Sequence, residues 1–406
     1  MTKILLTTQF FPYSKDSEVF LLSEIRNLPK DIELLIIPES VKTNKIIDES
    51  LLNLTNVNIV DKEIRKTKML KFYYAVKALF SIMFWEELLN IIKSRKRILQ
   101  KTKKMLYASI VSDIYYKKLS MFQVKVDVIY SYWLNNYVLG LIKYGKKNGI
   151  KVVSRAHGHD LYNEATTLNY HPFRKRILES LDYCFPVSNI GLDYLKQRYI
   201  SNFKVFYLGT NDLGLNPNNN HNQYVHFVSC SAVIPLKRVD LIYHILSGIS
   251  NYKVKWTHFG DGADFNLLQS KVSNSNIEVV LMGHVDTKTI YDYYKRHSID
   301  CFINLSTTEG IPVSIMEAIS FGIPIIATNV GGVNEILTNN DNGFLIDEIY
   351  NTNAIQMTVN KFVNLTIKEQ SLMRLKSREI WEEKFNAVKN YSDFYEYIKK
   401  SKEDIL

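Results

Sequence analysis

The sequence predicts an α/β protein made of two doubly wound parallel-sheet domains, and two features support this prediction. Short apolar runs, which are typical of buried parallel strands, alternate with helical patterns along most of the 406 residues. One Asn-rich stretch without apolar periodicity interrupts the alternation, as expected of a linker. The predicted first domain is 1–210 and contains a basic helical segment at 62–106. A linker at 211–224, a second domain at 225–385 and a final helix at 386–406 follow.

Composition places the chain among ordinary soluble globular proteins. Hydrophobic residues make up 46% and charged residues 23% of the sequence, and 406 residues are enough for two cores. The apolar run at the N-terminus is too short for a signal peptide, and no run of about 18 uncharged apolar residues predicts a transmembrane helix. Cys184, Cys230 and Cys301 lie far apart in apolar contexts. We therefore expect reduced, buried thiols in a cytosolic protein, and neither a disulfide framework nor a zinc site.

The first domain is predicted to contain six strands, each a short apolar run, at 3–8, 32–38, 126–131, 152–156, 183–187 and 203–207. The polar loop after the first strand ends at Asp16 and Ser17, either of which could cap the helix that starts near Val19. His157 and Gly158 follow the fourth strand. A side chain at this end of a parallel sheet can point into a ligand-binding crevice.

Residues 62–104 are the most unusual stretch in composition. They contain thirteen Lys or Arg against three Glu, a surplus of ten that equals the formal net charge of the whole chain. Phe72, Phe80, Phe84 and Trp85 lie between the basic clusters. Basic flanks around an apolar face are typical of helices that lie on an anionic membrane, so we predict membrane association. A solvated helical pair remains the alternative, whereas no recognition motif supports nucleic-acid binding.

The second domain is predicted to contain six further strands, at 225–229, 255–259, 279–282, 299–305, 323–327 and 342–346. Its organising segment is 299–337, which predicts strand, loop, helix, strand and then a tight turn at Gly331 and Gly332. Pro312 stands where the first helical residue is expected, because its φ is already helical. Gly322 is expected to end this helix.

Two carboxylates in this segment indicate a ligand site. Glu309 lies on the loop at the end of the strand, and Glu317 lies roughly 7–8 Å further along the following helix. Backbone N–H groups near 310–313 lie between them at a helix N-terminus, which attracts phosphate. A carboxylate, an anion site and a second carboxylate in a row suit a sugar, a diphosphate and a ribose, because carboxylates accept hydrogen bonds from vicinal hydroxyls.

The stretch TTEGIPVSIMEAISFGIPIIAT resembles the E-x7-E signature of retaining family 4 glycosyltransferases, which have the GT-B fold. Besides the two glutamates, the resemblance includes Gly310, Pro312, Ala318, Gly322, Pro324 and the Gly331-Gly332 turn. It implies two Rossmann-like domains that face a central cleft, with the C-terminal helix crossing back to the first domain. It also implies retaining transfer of a sugar from a nucleotide diphosphate sugar, with UDP assumed from its frequency, to a hydroxyl of a glycan acceptor in cell-surface polysaccharide assembly.

The resemblance also assigns roles to individual residues. It implies catalytic roles for His157, Glu309 and Lys237, and places Arg155 and Asp160 near the sugar or the acceptor. The donor-binding candidates are Arg238, Glu317, Gly310, Ile311, Pro312, Val313, Gly283 and His284.

Two loops depart from the family's pattern. Asp16 and Ser17, our phosphate-loop candidates, stand where family members usually carry a Gly pair that approaches the diphosphate. Ala232 stands near the usual position of an Arg, whereas Lys237 matches the family's Lys and Arg238 could take over from the missing Arg. These departures leave a non-catalytic sugar-nucleotide-binding subunit open as an alternative, beside a sugar-nucleotide epimerase of GT-B fold.

The expected partners follow from the same resemblance. They are a nucleotide sugar donor, a lipid-linked or oligosaccharide acceptor, and an anionic membrane surface met through 62–106 on the inner face of the cell membrane. The sequence contains no Asp-x-Asp pair, so we expect no metal and no other cofactor. Lys237, Arg238 and helix N-termini would instead stabilise the leaving diphosphate. A glycoside hydrolase is less well supported. Its two catalytic carboxylates face one glycosidic bond, whereas Glu309 and Glu317 are predicted to flank an anion site.

Overall fold

The structure is a computed structural model that describes residues 1–13, 18, 20–41, 46, 51, 54–60, 67–122, 125–217, 224–347 and 351–400. The chain forms two compact units, one from Met1–Phe206 with Tyr391–Leu406 and the other from Tyr207–Asn390. The end of the chain thus returns to the first unit, as predicted for the C-terminal helix. The predicted phosphate-loop candidates Asp16 and Ser17 and residues 62–66 of the basic segment lie outside the described residues.

The first unit contains a six-stranded parallel sheet in the order β3-β2-β1-β4-β5-β6. Its strands are β1 (Thr2–Thr8), β2 (Ile32–Pro38), β3 (Val57–Ile59), β4 (Val128–Ser131), β5 (Lys151–Ala156) and β6 (Tyr183–Pro186). Its helices are α1 (Leu21–Arg26), α2 (Lys68–Leu79), α3 (Ile82–Lys93), α4 (Ile98–Phe122), α5 (Val138–Asn148), α6 (Gly158–Leu161), α7 (Arg174–Ser180) and α8 (Asn189–Lys196).

The second unit contains another six-stranded parallel sheet, in the order β12-β11-β10-β7-β8-β9. Its strands are β7 (Val225–Cys230), β8 (Val254–Phe259), β9 (Glu278–Leu281), β10 (Cys301–Asn304), β11 (Ile325–Thr328) and β12 (Gly343–Ile346). Its helices are α9 (Val239–Ser247), α10 (Phe265–Val272), α11 (Thr287–Arg296), α12 (Val313–Ser320), α13 (Thr352–Val363) and α14 (Ile367–Lys384). Helix α15 (Ala387–Lys399) begins here and continues into the first unit.

Both sheets have the doubly wound strand order, which confirms the predicted fold class. Each sheet starts at a central strand, runs to one edge, and then restarts beside the first strand. The strand order therefore reverses between β1 and β4 in the first unit and between β7 and β10 in the second. Ligands of such sheets bind at the carboxyl ends of the strands next to this reversal. The loops that follow these four strands are thus the first places to search for a site.

Three details differ from the sequence-based expectation. Residues 203–207 lie beside β6 but do not form a regular strand. An isolated bridge joins Phe203 to Cys184, and the N–H groups of Lys204 and Phe206 donate to the carbonyls of Cys184 and Pro186 at 3.4 and 3.2 Å. The short edge strand β3 was not predicted, since only Val57 of its three residues is buried. The first residues of the expected linker belong to the second unit, where the side chain of Asn216 is buried and donates to the carbonyls of Tyr294 and His297.

The C-terminal helix packs through the aromatic residues that recur along it. Tyr391, Phe394 and Tyr395 are buried in the first unit, and the predicted break near Asn386 lies between α14 and α15. The Tyr395 hydroxyl donates to Glu24 Oε1 at 3.1 Å, so the helix is also held by a polar contact inside the core. This row of aromatic side chains is therefore a packing face.

Candidate active site

In the second unit, Lys237 and Glu309 form an ion pair next to the strand-order reversal. Lys237 follows β7 and Glu309 follows β10, the two strands between which the order changes. The Lys237 ammonium Nζ lies 2.7 Å from Glu309 Oε1, and the two side chains are only 21% and 9% exposed. The Thr307 N–H donates to the Leu236 carbonyl at 2.9 Å and ties the two loops together. A cation and a carboxylate are thus fixed at the edge where this fold binds ligands.

The Glu309 loop is held by two further contacts. The buried Asn304 donates from Nδ2 to Glu309 Oε1 at 3.3 Å. On its other side, the Gly332 N–H donates to the Gly310 carbonyl at 2.7 Å. Gly331 has a positive φ of 53°, and a Cβ there would lie 1.9 Å from the Glu309 carbonyl oxygen. Only glycine fits this turn, so the Gly331-Gly332 turn of the sequence analysis supports the Glu309 loop directly.

The donor-binding candidates before Glu317 lead into helix α12. Pro312 was predicted to be the first helical residue, and this prediction is wrong by one position. Its ψ of 111° is extended, so Pro312 is the N-cap and α12 begins at Val313. Ile311 and Pro312 are buried, whereas Gly310 and Val313 are partly exposed. The first N–H groups of an α-helix have no partner within the helix, so this end of α12 provides donors for an anion.

Glu317 is held by a tyrosine that the sequence analysis did not identify. The Tyr291 hydroxyl, on α11, donates to Glu317 Oε1 at 2.7 Å. Burial raises the pKa of Glu317 to about 7, although the hydrogen bond from Tyr291 acts in the opposite direction. Glu317 is the fifth residue of α12, so it lies beyond the helix N-terminus that Glu309 precedes.

The remaining candidates of the second unit lie in loops at the same edge of the sheet. Gly283 has a positive φ of 64°, and its carbonyl accepts from the Gly260 N–H at 2.8 Å. His284 is exposed in the loop after β9. Arg238 adopts a left-handed φ of 49° and is followed directly by α9. Only glycine fits at position 260, because a Cβ there would lie 2.0 Å from the Ser231 carbonyl oxygen. The loops after β7 and β8 therefore approach each other closely, which sequence spacing does not indicate.

In the first unit, His157 lies at the end of β5 against a wall of aromatic rings. Its ring centroid is 4.4 Å from that of Trp133, 4.9 Å from Tyr132 and 5.9 Å from Phe20. The side chain is buried. Its Nδ1 faces Asp160, 3.8 Å from Oδ2, whereas Nε2 has no hydrogen-bond partner within the described part of the chain. A buried ring nitrogen without a partner is costly unless a ligand or water completes it, so His157 has the character of a site residue.

Asp160 fixes the backbone on which His157 lies. Its Oδ1 accepts from the His157 N–H at 2.6 Å and its Oδ2 accepts from the Leu134 N–H at 2.7 Å, so it joins the loops after β5 and β4. Burial by itself raises the pKa of Asp160, but its interactions with the His157 side chain and the hydrogen bond from the Leu134 N–H hold that pKa below its ordinary value. The neighbouring His159 is exposed.

Arg155 has a different environment from the one predicted. Its side chain is fully buried, and its guanidinium donates to the Tyr130 hydroxyl at 2.7 Å and to the Phe206 carbonyl at 3.0 Å. The guanidinium also lies 4.1 Å above the Phe394 ring and 3.7 Å from Glu24 Oε2. Because all these partners are internal, Arg155 connects β5 to α1 and α15 and is not placed to contact a sugar.

The basic segment presents both its charges and part of its apolar surface to solvent. Phe72, Phe80, Ile82 and Trp85 are 71%, 84%, 77% and 49% exposed. Phe84 is instead 3% exposed and packs in the core, because it lies on the inner face of α3. No helix among the described residues is long and apolar enough to cross a membrane. Within the same residues, no group of three or more His, Cys, Asp or Glu could hold a metal ion.

Comparison with known proteins agrees with this geometry. Residues 216–379 match the family model of glycosyl transferases group 1. An uncharacterized glycosyltransferase of Methanocaldococcus jannaschii is 25% identical over 247 residues, which is 59% of this chain and 66% of that protein. The matched part of the chain spans only 24% and 25% of the next two curated relatives.

Two solved structures share the fold along almost the whole chain. The apo form of the lipopolysaccharide outer core galactosyltransferase WaaB has a TM-score of 0.69 at 15% sequence identity. The match covers 98% of this chain and 99% of the WaaB chain. The Anabaena protein HepE, solved with UDP and glucose, has a TM-score of 0.70 at 14% identity and covers 99% of this chain and 100% of its own. The comparisons support a GT-B glycosyltransferase.

Sequence reasoning predicted most of the residues that lie at this edge of the second sheet but missed four supporting residues. Tyr291 and Asn304 hold the two glutamates, and Trp133 and Glu18 belong to the His157 region. Asn304 could have been found as a polar residue near the carboxyl end of a buried strand. The other three act across long sequence separations, so no local pattern indicates them.

Proposed function

We propose that the chain is a retaining glycosyltransferase of the family 4 type that moves a hexose from a UDP-sugar to a hydroxyl of a lipid-linked glycan during assembly of a cell-surface polysaccharide. The observation that carries this proposal is the Lys237–Glu309 ion pair, 2.7 Å long, at the strand-order reversal and directly before the N-terminus of α12. It provides a fixed cation, a carboxylate and an anion-binding helix end within one loop cluster.

Each part of this cluster has a role in the proposed reaction. The ammonium of Lys237 and the N–H groups at the start of α12 stabilise the diphosphate as negative charge develops on it. In the proposed reaction these groups do what a metal ion does in other transferases. Glu309 accepts hydrogen bonds from hydroxyls of the transferred sugar. Glu317, held by Tyr291, accepts them from the ribose.

In the first unit, His157 is proposed to contact a substrate hydroxyl. Its ring nitrogen Nε2 is available for this contact, and the aromatic wall and the contacts with Asp160 fix the position of the ring. Because Nε2 has no hydrogen-bond partner within the described residues, it can donate or accept one hydrogen bond without first breaking another. The choice of UDP is supported by the HepE structure, which was solved with UDP and glucose.

The lipid-linked acceptor is proposed from the surface of α2 and α3. Exposed Phe72, Phe80, Ile82 and Trp85 accompany the lysines of the same helices and the basic cluster at 93–97, all on the first unit. Apolar side chains that enter the headgroup region, flanked by cations, are what docking on anionic lipid needs. The enzyme would then meet its acceptor at the surface of the membrane, without a helix that crosses it.

The proposal is tested by incubating the protein with radiolabelled UDP-sugars and a membrane lipid extract. We expect label in an organic-soluble product, and an α-linked product from an α-linked donor when its anomeric configuration is read by NMR. Release of free or epimerised sugar would favour an epimerase or hydrolase, and binding without any product would favour a non-catalytic subunit. A thermal-shift panel of nucleoside diphosphates identifies the base first, since a ligand at 100 times its Kd adds about 2.7 kcal/mol of stability.

A further inference from the structure

A buried carboxylate in the first unit accepts hydrogen bonds from four donors. Glu18 is 2% exposed, and its oxygens accept from the backbone N–H groups of Gln9 at 2.7 Å, Phe10 at 2.9 Å and Phe11 at 2.8 Å. The fourth donor is the indole Nε1–H of Trp133, at 2.5 Å. Three of the donors lie on the loop after β1 and the fourth lies after β4, so the contact spans the strand-order reversal of this sheet.

The geometry of these donors is that of an anion-binding nest. Successive backbone N–H groups that converge on one point form a concavity with a positive potential, and such concavities commonly hold phosphate or carboxylate. Here the chain fills the concavity itself. Glu18 adopts a positive φ of 62°, which is unfavourable for a residue with a side chain and is accepted where other contacts enforce it. The four hydrogen bonds are the contacts that enforce it.

The indole that Glu18 holds is the nearest neighbour of His157 in the aromatic wall. The ring centroids of Trp133 and His157 are 4.4 Å apart, closer than those of Tyr132 or Phe20 to the same imidazole. Asp160 fixes the backbone of His157 and lies 3.8 Å from its Nδ1. The faces of the imidazole are held by the aromatic wall, and the closest ring of this wall is held by one hydrogen bond to Glu18.

We infer that Glu18 is a resident anion that occupies the nest of the β1 loop and, through Trp133, positions His157. Two consequences follow. The N–H groups of Gln9, Phe10 and Phe11 are not open to the phosphates of a nucleotide, so the loop after β1 serves positioning and not anion capture. Loss of the carboxylate loosens the wall behind His157. The effect on catalysis depends on the proposed transferase function, whereas the effect on Trp133 does not.

The structural half of the inference is tested by NMR of the four tryptophan indole N–H groups. We expect one strongly downfield signal in the wild type, assigned to Trp133 because Trp133→Phe removes it. In Glu18→Ala this signal should move upfield, and sodium formate should return it, since formate is a carboxylate small enough to refill the nest. Sodium chloride at the same ionic strength is the control. A Trp133 signal that is unchanged in Glu18→Ala would overturn the inference whether or not the protein is a transferase.

The kinetic half separates positioning from binding. For Glu18→Ala we expect kcat to fall by about 10–100-fold, because small displacements of a reacting group are costly, with the KM for the UDP-sugar changed by less than about threefold. Formate should restore kcat. A raised donor KM with unchanged kcat would show that the loop binds phosphate, and would contradict the inference.

If Glu18→Ala does not fold, Trp133→Phe decides the question. This variant keeps a ring beside His157 and leaves the nest filled, but it removes the N–H that Glu18 holds. A lowered kcat in a folded Trp133→Phe protein supports positioning through the indole. An unchanged kcat in that variant refutes it.

Discussion

Tyr291 donates its phenolic hydrogen to Glu317 Oε1 at 2.7 Å, a contact between helices α11 and α12 that leaves the second carboxylate oxygen of Glu317 for other partners. Burial raises the pKa of this carboxyl to about 7, while the tyrosine favours the ionised form. Glu317 thus titrates near neutral pH. A ribose with two adjacent hydroxyls prefers the ionised carboxylate, so nucleoside binding and ionisation of Glu317 are linked.

We predict that uridine binding weakens as the pH falls below about 7. The unliganded carboxyl holds a proton below its pKa of about 7, and binding must release that proton, which costs affinity by up to about tenfold per pH unit. Isothermal titration in two buffers of different ionisation enthalpy measures the proton release. Glu317→Gln should bind weakly at every pH without releasing a proton. Equal pH dependence in both proteins would contradict this assignment.

Linkage also fixes how Glu317 affects stability. Its pKa is raised from 4.5 in the unfolded chain to about 7 in the fold, so between these values the folded state binds more protons than the unfolded state. The stabilising contribution is therefore full below pH 4.5 and is lost as the pH rises to about 7. Glu317→Gln should gain stability relative to wild type on going from pH 5 to pH 8, as followed by urea denaturation.

Tyr291→Phe should move this pH dependence to higher pH. The hydrogen bond from Tyr291 lowers the pKa of Glu317, so its removal leaves burial unopposed and raises that pKa further. The midpoint of uridine affinity against pH is the measurement. Tyr293→Phe is a matched control on the same helix, because its hydroxyl contacts Thr257 at 2.9 Å and not Glu317. The same shift in both variants would show that the effect is general and not due to this contact.

Lys237→Ala is expected to cost more activity than Arg238→Ala. Lys237 is held 2.7 Å from Glu309 in the loop before α9, so it is a preorganised partner for developing charge. Removing such a partner costs roughly 10²–10³ in rate. The change in kcat with a saturating donor is the measurement. Near wild-type turnover in Lys237→Ala, or a larger loss in Arg238→Ala, would place the diphosphate elsewhere.

Changing Lys93, Arg95, Lys96 and Arg97 to Glu should abolish binding to liposomes that contain anionic lipid. All four side chains are exposed, and each cation near such a surface contributes about 1 kcal/mol, screened over roughly 8–10 Å by salt. Flotation at low and high salt measures the effect. Activity on a short water-soluble acceptor should largely survive, because the donor site lies in the other unit.

The apolar part of the same surface has its own matched control. Changing Phe80 and Ile82 to Ser removes side chains that are 84% and 77% exposed, and we expect weaker flotation. Changing Ile200 and Met357 to Ser removes side chains of similar exposure, 91% and 72%, outside the basic segment. If both pairs reduce binding equally, or if the wild type does not float at low salt, the segment is a solvated helical face.

Much of the fold was predictable because buried parallel strands are short apolar runs, which can be recognised from the local sequence alone. The strands that were missed or misassigned lie at the sheet edge, where burial is weakest. Val57–Ile59 has one buried residue and gives almost no signal. Residues 203–207 are apolar enough to suggest a strand, and they do lie beside β6, but one isolated bridge and two backbone hydrogen bonds do not make them a regular strand.

The candidate site was predictable where its residues lie close together in sequence. Glu309 and Glu317 flank the start of one helix, so spacing alone places them in line. Arg155 shows the opposite case, since its burial depends on Glu24, Tyr130 and Phe394, which are far from it in the chain. Glu18 and Trp133 are 115 positions apart, and only the sheet order brings them together.

The most direct test of the donor site is titration of UDP into the wild type, Glu317→Ala and Glu309→Ala at pH 8, where Glu317 is mostly ionised. We predict that Glu317→Ala weakens UDP binding, because the ribose loses its acceptor, whereas Glu309→Ala keeps most of the affinity and loses turnover, because its partner is the sugar. A transfer assay on the same three proteins provides the turnover. Equal loss of UDP affinity in both variants, or no loss in Glu317→Ala, would contradict the proposed order of the donor along α12.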